Sequence, residues 1–228
     1  MYKSLVNNLL ILNKNIMKKN GKYFVMISLL SLVFSQVVYA SNLNTCGQDS
    51  EGMDVVTLHV GSQSYANNCP EKYPDAYAIV SLTDLKTYPV DYALANPRNV
   101  DFRFYCHGSE AVPRLYSMHA LGLHNKEDQY KGTSGSLMDM SKRNQTHFLI
   151  LPSDFDYEHA TPASIAQIDP STVNKGILNP ISVGDVIAFR TKGRVGIMKV
   201  IDITQPGELS NVPVKRVMTL EIKFPKKK

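Results

Sequence analysis

The 228-residue chain reads as a mostly antiparallel all-β protein, a single-domain sandwich or Greek-key-like body with one or two short helices. Three observations predict that class. β-branched or alternating stretches of five to nine residues recur along the chain. Gly, Pro, Asn and Asp clusters separate them. Segments with helical period are sparse.

The strands come in order. Val55–Val60 is β-branched and closes on Gly61-Ser62. Ala76–Leu82 follows the punctuation of Asn67-Asn68-Cys69-Pro70 and Pro74-Asp75. Val100–Tyr105 alternates, with Val100, Phe102 and Phe104 on one face and Asp101, Arg103 and Tyr105 on the other. His147–Leu151 is short and ends at Pro152. Val186–Thr191 and Val195–Ile203 flank Lys192-Gly193-Arg194, the chemistry of a tight hairpin. Val217–Phe224 closes the series, with Leu220, Ile222 and Phe224 on one face. Thr161 as N-cap with Pro162 at the first position predicts a short helix through Ile168, stopped by Pro170. A second short helix is expected within Leu82–Ala95, against the objection of Pro89. Gly108–Asn144 is the least regular stretch, and long irregular stretches in compact domains are commonly functional.

The first forty residues read as an address. Met17-Lys18-Lys19-Asn20-Gly21-Lys22 is a charged n-region, Tyr23–Val38 an apolar h-region, and Val38-Tyr39-Ala40 a cleavage pattern before Ser41. Met17 is the natural start. The apolar run is shorter than a membrane span requires. The expected organisation is a signal peptide over 1–40, one β-rich domain over 41–225 and a basic tail over 226–228. The expected location is secreted or periplasmic, with no membrane span after processing.

The formal charge of +5 is unevenly placed. Residues 1–40 hold five lysines and no acid, which leaves 20 basic against 20 acidic residues from Ser41 onward. A nucleic-acid binder needs surplus clustered Lys and Arg, so that class is excluded. Export permits disulfides. Of the three cysteines, Cys46 and Cys69 are the favoured pair, and Cys106, at the end of a strand pattern, reads as a buried free thiol.

All six histidines follow the leader, and three lie between His107 and His124. His119 and His124 lack helical zinc-pair spacing, and neither His-Glu-x-x-His nor Cys-x-x-Cys occurs. Cys106-His107 is a poor nucleophile–base pair because neighbours on a strand point to opposite faces. Asp154-Phe155-Asp156-Tyr157-Glu158-His159 reads as a polar turn with Phe155 inward. Phosphate cradles and acyl-enzyme motifs are missing.

The ordered series Ser81–Thr87, Val100–Tyr105, Arg143–Phe148 and the hairpin Gly184–Val200 resembles that of HmuY-like secreted β-proteins, over about 76–224. The resemblance implies an all-β fold and, for the HmuY branch, haem captured by axial histidines or methionines. The chain departs from that pattern in having no lipobox and in carrying three cysteines. On this reading His107 and His119 are the leading metal ligands, with His124 and Met118 as substitutes and Tyr116 beside them in the ligand site. The functional expectation is an exported non-catalytic binding protein for a small-molecule, glycan or protein ligand, with haem the cofactor that the resemblance implies. The alternatives are an adhesion or structural β-domain and a zinc-dependent enzyme.

Overall fold

In the computed structural model, residues 52–123, 130–140, 142–173 and 176–226 are described. The chain divides into two compact units, 1–48 and 49–228, and every described residue belongs to the second. The leader read over 1–40, Cys46 and His124 lie outside the described residues.

Alternating side chains sort the second unit into two five-stranded sheets. The larger sheet has the order β1–β10–β9–β8–β6, from β1 (Met53–Gly61), β6 (Thr146–Ile150), β8 (Val186–Thr191), β9 (Arg194–Ile203) and β10 (Val217–Pro225). The smaller has the order β3–β2–β4–β5–β7, from β2 (Ile79–Ser81), β3 (Lys86–Tyr88), β4 (Phe102–His107), β5 (Val112–Ser117) and β7 (Ile177–Leu178). Every pairing is antiparallel. The all-β antiparallel sandwich is therefore the fold of this chain. β1 and β10 pair over their full length, from Met53↔Pro225 to Gly61↔Val217, so the larger sheet joins the first strand to the last.

One cluster of buried side chains fills the space between the sheets. It includes Leu58 and Val60 of β1, Phe102, Phe104 and Cys106 of β4, Phe148 of β6, Phe189 of β8, and Leu220, Ile222 and Phe224 of β10. Moving each large apolar side chain here from water contributes about 1.5–3 kcal/mol. Phe102 meets Phe148 edge-on at 5.7 Å, and Phe189 meets Phe224 at 5.2 Å.

Both outer faces are covered as well. Over the larger sheet, the helix α2 (Pro162–Ala166) and the turn around Tyr157 bury Ile165, Ala188 and Ile197. Thr161 caps α2 through a capping box with Ser164, and Pro162 starts it, as the sequence predicts. Over the smaller sheet, the helix α1 (Val90–Ala95) and residues 130–140 bury Tyr105, Tyr116, Met118 and Tyr130.

The short helix expected within Leu82–Ala95 is α1, and the structure refines the sequence reading at three places. Pro89 does not interrupt a helix over Leu82–Ala95. It ends strand β3 and sits at the N-cap of α1, where its missing N–H costs nothing. The irregular stretch Gly108–Asn144 also contains strand β5, turned back on β4 with Gly108 and Ala111 at positive φ. The β8–β9 connection is shorter than its glycine suggested. Thr191 pairs with Arg194, and Lys192 and Gly193 both have positive φ, a two-residue turn with the hand of the flanking strands.

A buried carboxylate ties the sheets together. Asp101 is fully buried ahead of β4. It accepts from the Leu82 amide and the Thr191 hydroxyl, each at 2.7 Å, and Lys192 Nζ stands 3.6 Å away. Burial raises its pKa, and the Thr191 hydrogen bond and the Lys192 charge oppose that rise.

Candidate functional site

The residues singled out from the sequence separate in space. Hairpin register places Phe102 opposite Ser117 at one end of β4–β5 and His107 opposite Val112 at the other. Five strand residues span about 17 Å, and His119 lies two residues beyond Ser117. Two imidazoles that far apart do not reach one iron, so the structure does not bring His107 and His119 together. His107 is half-buried beside Tyr105, with ring centroids 6.0 Å apart, and His119 is exposed. Met118 is fully buried and Tyr116 is 2% exposed, both packed in the layer outside the smaller sheet. There the fully buried Arg103 guanidinium lies 5.0 Å from the Tyr116 ring and 5.1 Å from the Tyr130 ring. Among the described residues, no group of three His, Cys, Asp or Glu side chains is placed to hold a metal ion.

Among the described residues Cys69 and Cys106 form no disulfide, and the pairing of Cys46 with Cys69 involves a residue outside them. Cys106 is buried in the core, as its strand position predicts, and desolvation pushes its thiol up to about 12.

A concave site forms instead where β1 meets the β2–β3 corner. A groove of about 290 Å³ is lined by Leu58, His59, Asp75, Tyr77, Leu85, Lys86 and Thr87. Local chemistry builds it. The Gly61 amide donates to the Tyr77 carbonyl at 3.0 Å, which draws residues 75–77 against the end of β1. A Cβ on Gly61 would stand 2.3 Å from the Ala76 carbonyl oxygen and 2.6 Å from Tyr65 Cβ, so only glycine allows that approach. The Thr87 hydroxyl donates to the Asp75 carbonyl and accepts from the Tyr77 amide, which pins the same segment to β3.

The groove has an apolar floor and a polar rim. Leu58 belongs to the core, and Leu85 packs against it from the β2–β3 turn. On the rim, His59 Nδ1 lies 3.4 Å from the Asp75 carboxylate, and the His59 ring tilts against Tyr73 at 5.0 Å. Tyr77 is hydrogen-bonded to Cys69. The charge of Cys69 raises the Tyr77 pKa, and burial raises that of Cys69.

None of these residues is among the site candidates that the sequence offers, and His59 stands there only as one of six histidines. The available signal was its place on the outward-facing side of a β-branched strand. Leu58 is its neighbour on the strand, the other five lining residues come from 16–28 positions further along the chain, and nothing in their spacing announces the convergence.

No described helix is long and apolar enough to cross a membrane. Comparison with protein-family models finds no match, and comparison with curated proteins finds none. Among solved structures, the chain is similar to a DUF4466 family protein from Parabacteroides merdae, with 12% identity and a TM-score of 0.46. That similarity covers 76% of this chain and 54% of the other, so the chain spans about half the length of that protein.

Proposed function

We propose that the chain is an exported, non-catalytic binding protein whose ligand occupies the groove between β1 and the β2–β3 corner. The observation that carries this reading is the groove's composition: an apolar floor of Leu58 and Leu85 with a polar rim of His59, Asp75 and Lys86. Ligand sites of this kind are concave, mostly apolar and set with a few polar groups that orient the ligand. The side chains nearest to reactive chemistry support binding over catalysis. The Thr87 hydroxyl is occupied by the Asp75 carbonyl, and the Tyr77 phenol and Cys69 thiol are shifted toward their protonated forms. The charged run, apolar run and Ala40 boundary of the leader support export.

A titration of isotope-labelled protein, followed by amide shifts, tests this. Separate arms use short peptides, mono- and disaccharides, and hemin. The expected result is saturable shifts at His59, Tyr77 and Leu85–Thr87 with one of the first two probe sets, weakened at least tenfold by His59→Ala or Lys86→Glu. Shifts confined to residues 107–119, together with a hemin Soret band lost in His119→Ala, overturn the groove reading in favour of the haem branch implied by the HmuY-like resemblance.

A further inference from the structure

Three of the four sheet edges are short or covered. β3 has three residues and β7 two. β6 has five and is packed by the turn at Pro170–Val173. β1 is different, with nine residues, no proline, a single formal charge in Asp54, and no bulge in its pairing with β10. Those are the devices by which proteins blunt an open edge.

The hydrogen bonds say which backbone groups of β1 face that edge. The Lys226 amide donates to the Gly52 carbonyl, so even-numbered residues turn their N–H and C=O toward β10. The Gly61 amide donates away from β10, to Tyr77, so odd-numbered residues turn theirs outward. Residues 75–77 cover the edge at its Gly61 end, with Asp75 against His59. The outward N–H and C=O groups of Val55 and Thr57 have no hydrogen-bond partner among the described residues, while Met53, at 3% exposure, is covered. Val55 and Thr57 are exposed there, Val55 at 39%. This open stretch runs directly into the groove, whose wall is Leu58 and His59 of the same strand.

We propose that β1 captures an extended polypeptide by strand addition. The peptide's backbone pairs with the outward groups of Val55 and Thr57, and one apolar or aromatic side chain enters the groove over Leu58 and Leu85. This rests on the groove being the binding site and names the class of ligand. Main-chain pairing supplies affinity without sequence preference, and the side-chain pocket supplies specificity. A peptide fits this edge better than a second copy does. Two-fold pairing of the open stretches about Val55 engages only residues 53–57 of each chain, a contact far smaller than the surface of about 1,200–2,000 Å² that a stable interface buries. A peptide needs only Val55, Thr57 and the adjacent pocket.

The test screens a random nonapeptide pool against the purified chain, then measures the enriched peptide by calorimetry. The decisive variant is Val55→Pro. Its lost N–H points away from β10, so no bond of the sheet is removed, and proline is tolerated at such edge positions. The expected result is an unchanged thermal midpoint with peptide affinity at least tenfold weaker. Slowed hydrogen exchange at the Val55 and Thr57 amides in the wild-type complex is expected with it. No enriched peptide, or equal binding by Val55→Pro, overturns the proposal, and saccharide shifts in the groove under that outcome leave the groove reading standing. A concentration-dependent dimer abolished by Val55→Pro overturns it in favour of a second copy.

Discussion

At the scale of single residues, the polar side chains inside this fold hold it in register. Asp101 and Arg103 alternate with Phe102 and Phe104, a pattern that reads as one wet face and one dry face. Both faces are dry, because α1 and residues 130–140 cover the second. A local pattern cannot report a covering segment that arrives from thirty residues away. Replacing Asp101 by alanine leaves the Leu82 amide and Thr191 hydroxyl unpaired in the interior, with an expected loss of about 1–3 kcal/mol, read as a lower urea midpoint. The pH dependence has a definite sign. A carboxyl whose folded pKa lies above its ordinary 3.8 holds its proton more tightly when folded. Its contribution is fully present below 3.8 and is lost as pH rises through the folded value. Asp101→Asn should abolish that part of the pH profile in urea denaturations run from pH 3 to 7.

At the scale of elements, one side chain gathers the exposed turn of the segment that covers the smaller sheet, while the Tyr130 hydroxyl on the Phe104 carbonyl holds its buried end. Asp91, in the first turn of α1, accepts from the Thr133 and Ser134 amides at 3.0 Å each and from both their hydroxyls at 2.7 Å. Hydrogen bonds from Ser134 and Thr133 hold its pKa far below 3.8. For a depressed carboxyl, stability is present above the ordinary value and is lost as pH falls through the folded one. Asp91→Asn is expected to speed hydrogen exchange at Thr133 and Ser134 at neutral pH while leaving the β4 amides protected. Equal acceleration in β4 would show that the segment does not open separately. Strands with full alternation or β-branching, such as β1, β8, β9 and β10, were legible from sequence, as was α2 from its cap and proline. β3, β5 and β7 were not, because Pro113 interrupts β5 and the other two are too short to show a period. The site was illegible for a related reason: its geometry depends on Gly61 admitting Tyr77, a contact between two chain segments that no single window contains.

At the scale of the whole molecule, Cys106 reports on integrity. It is 1% exposed between the sheets, and its thiol is pushed up to about 12, so it reacts only after the sheets part. Iodoacetamide labelling followed by peptide mapping should modify Cys106 at the rate of global unfolding, and Cys69, which is half-buried, much faster. Equal rates at the two thiols would mean that the core opens locally near β4. The pairing of β1 with β10 has a further consequence. β10 lies between β1 and β9, so β1 has no neighbour in the larger sheet until β10 arrives. A polypeptide still emerging from the ribosome carries β1 without the neighbour it requires until β10 has been made.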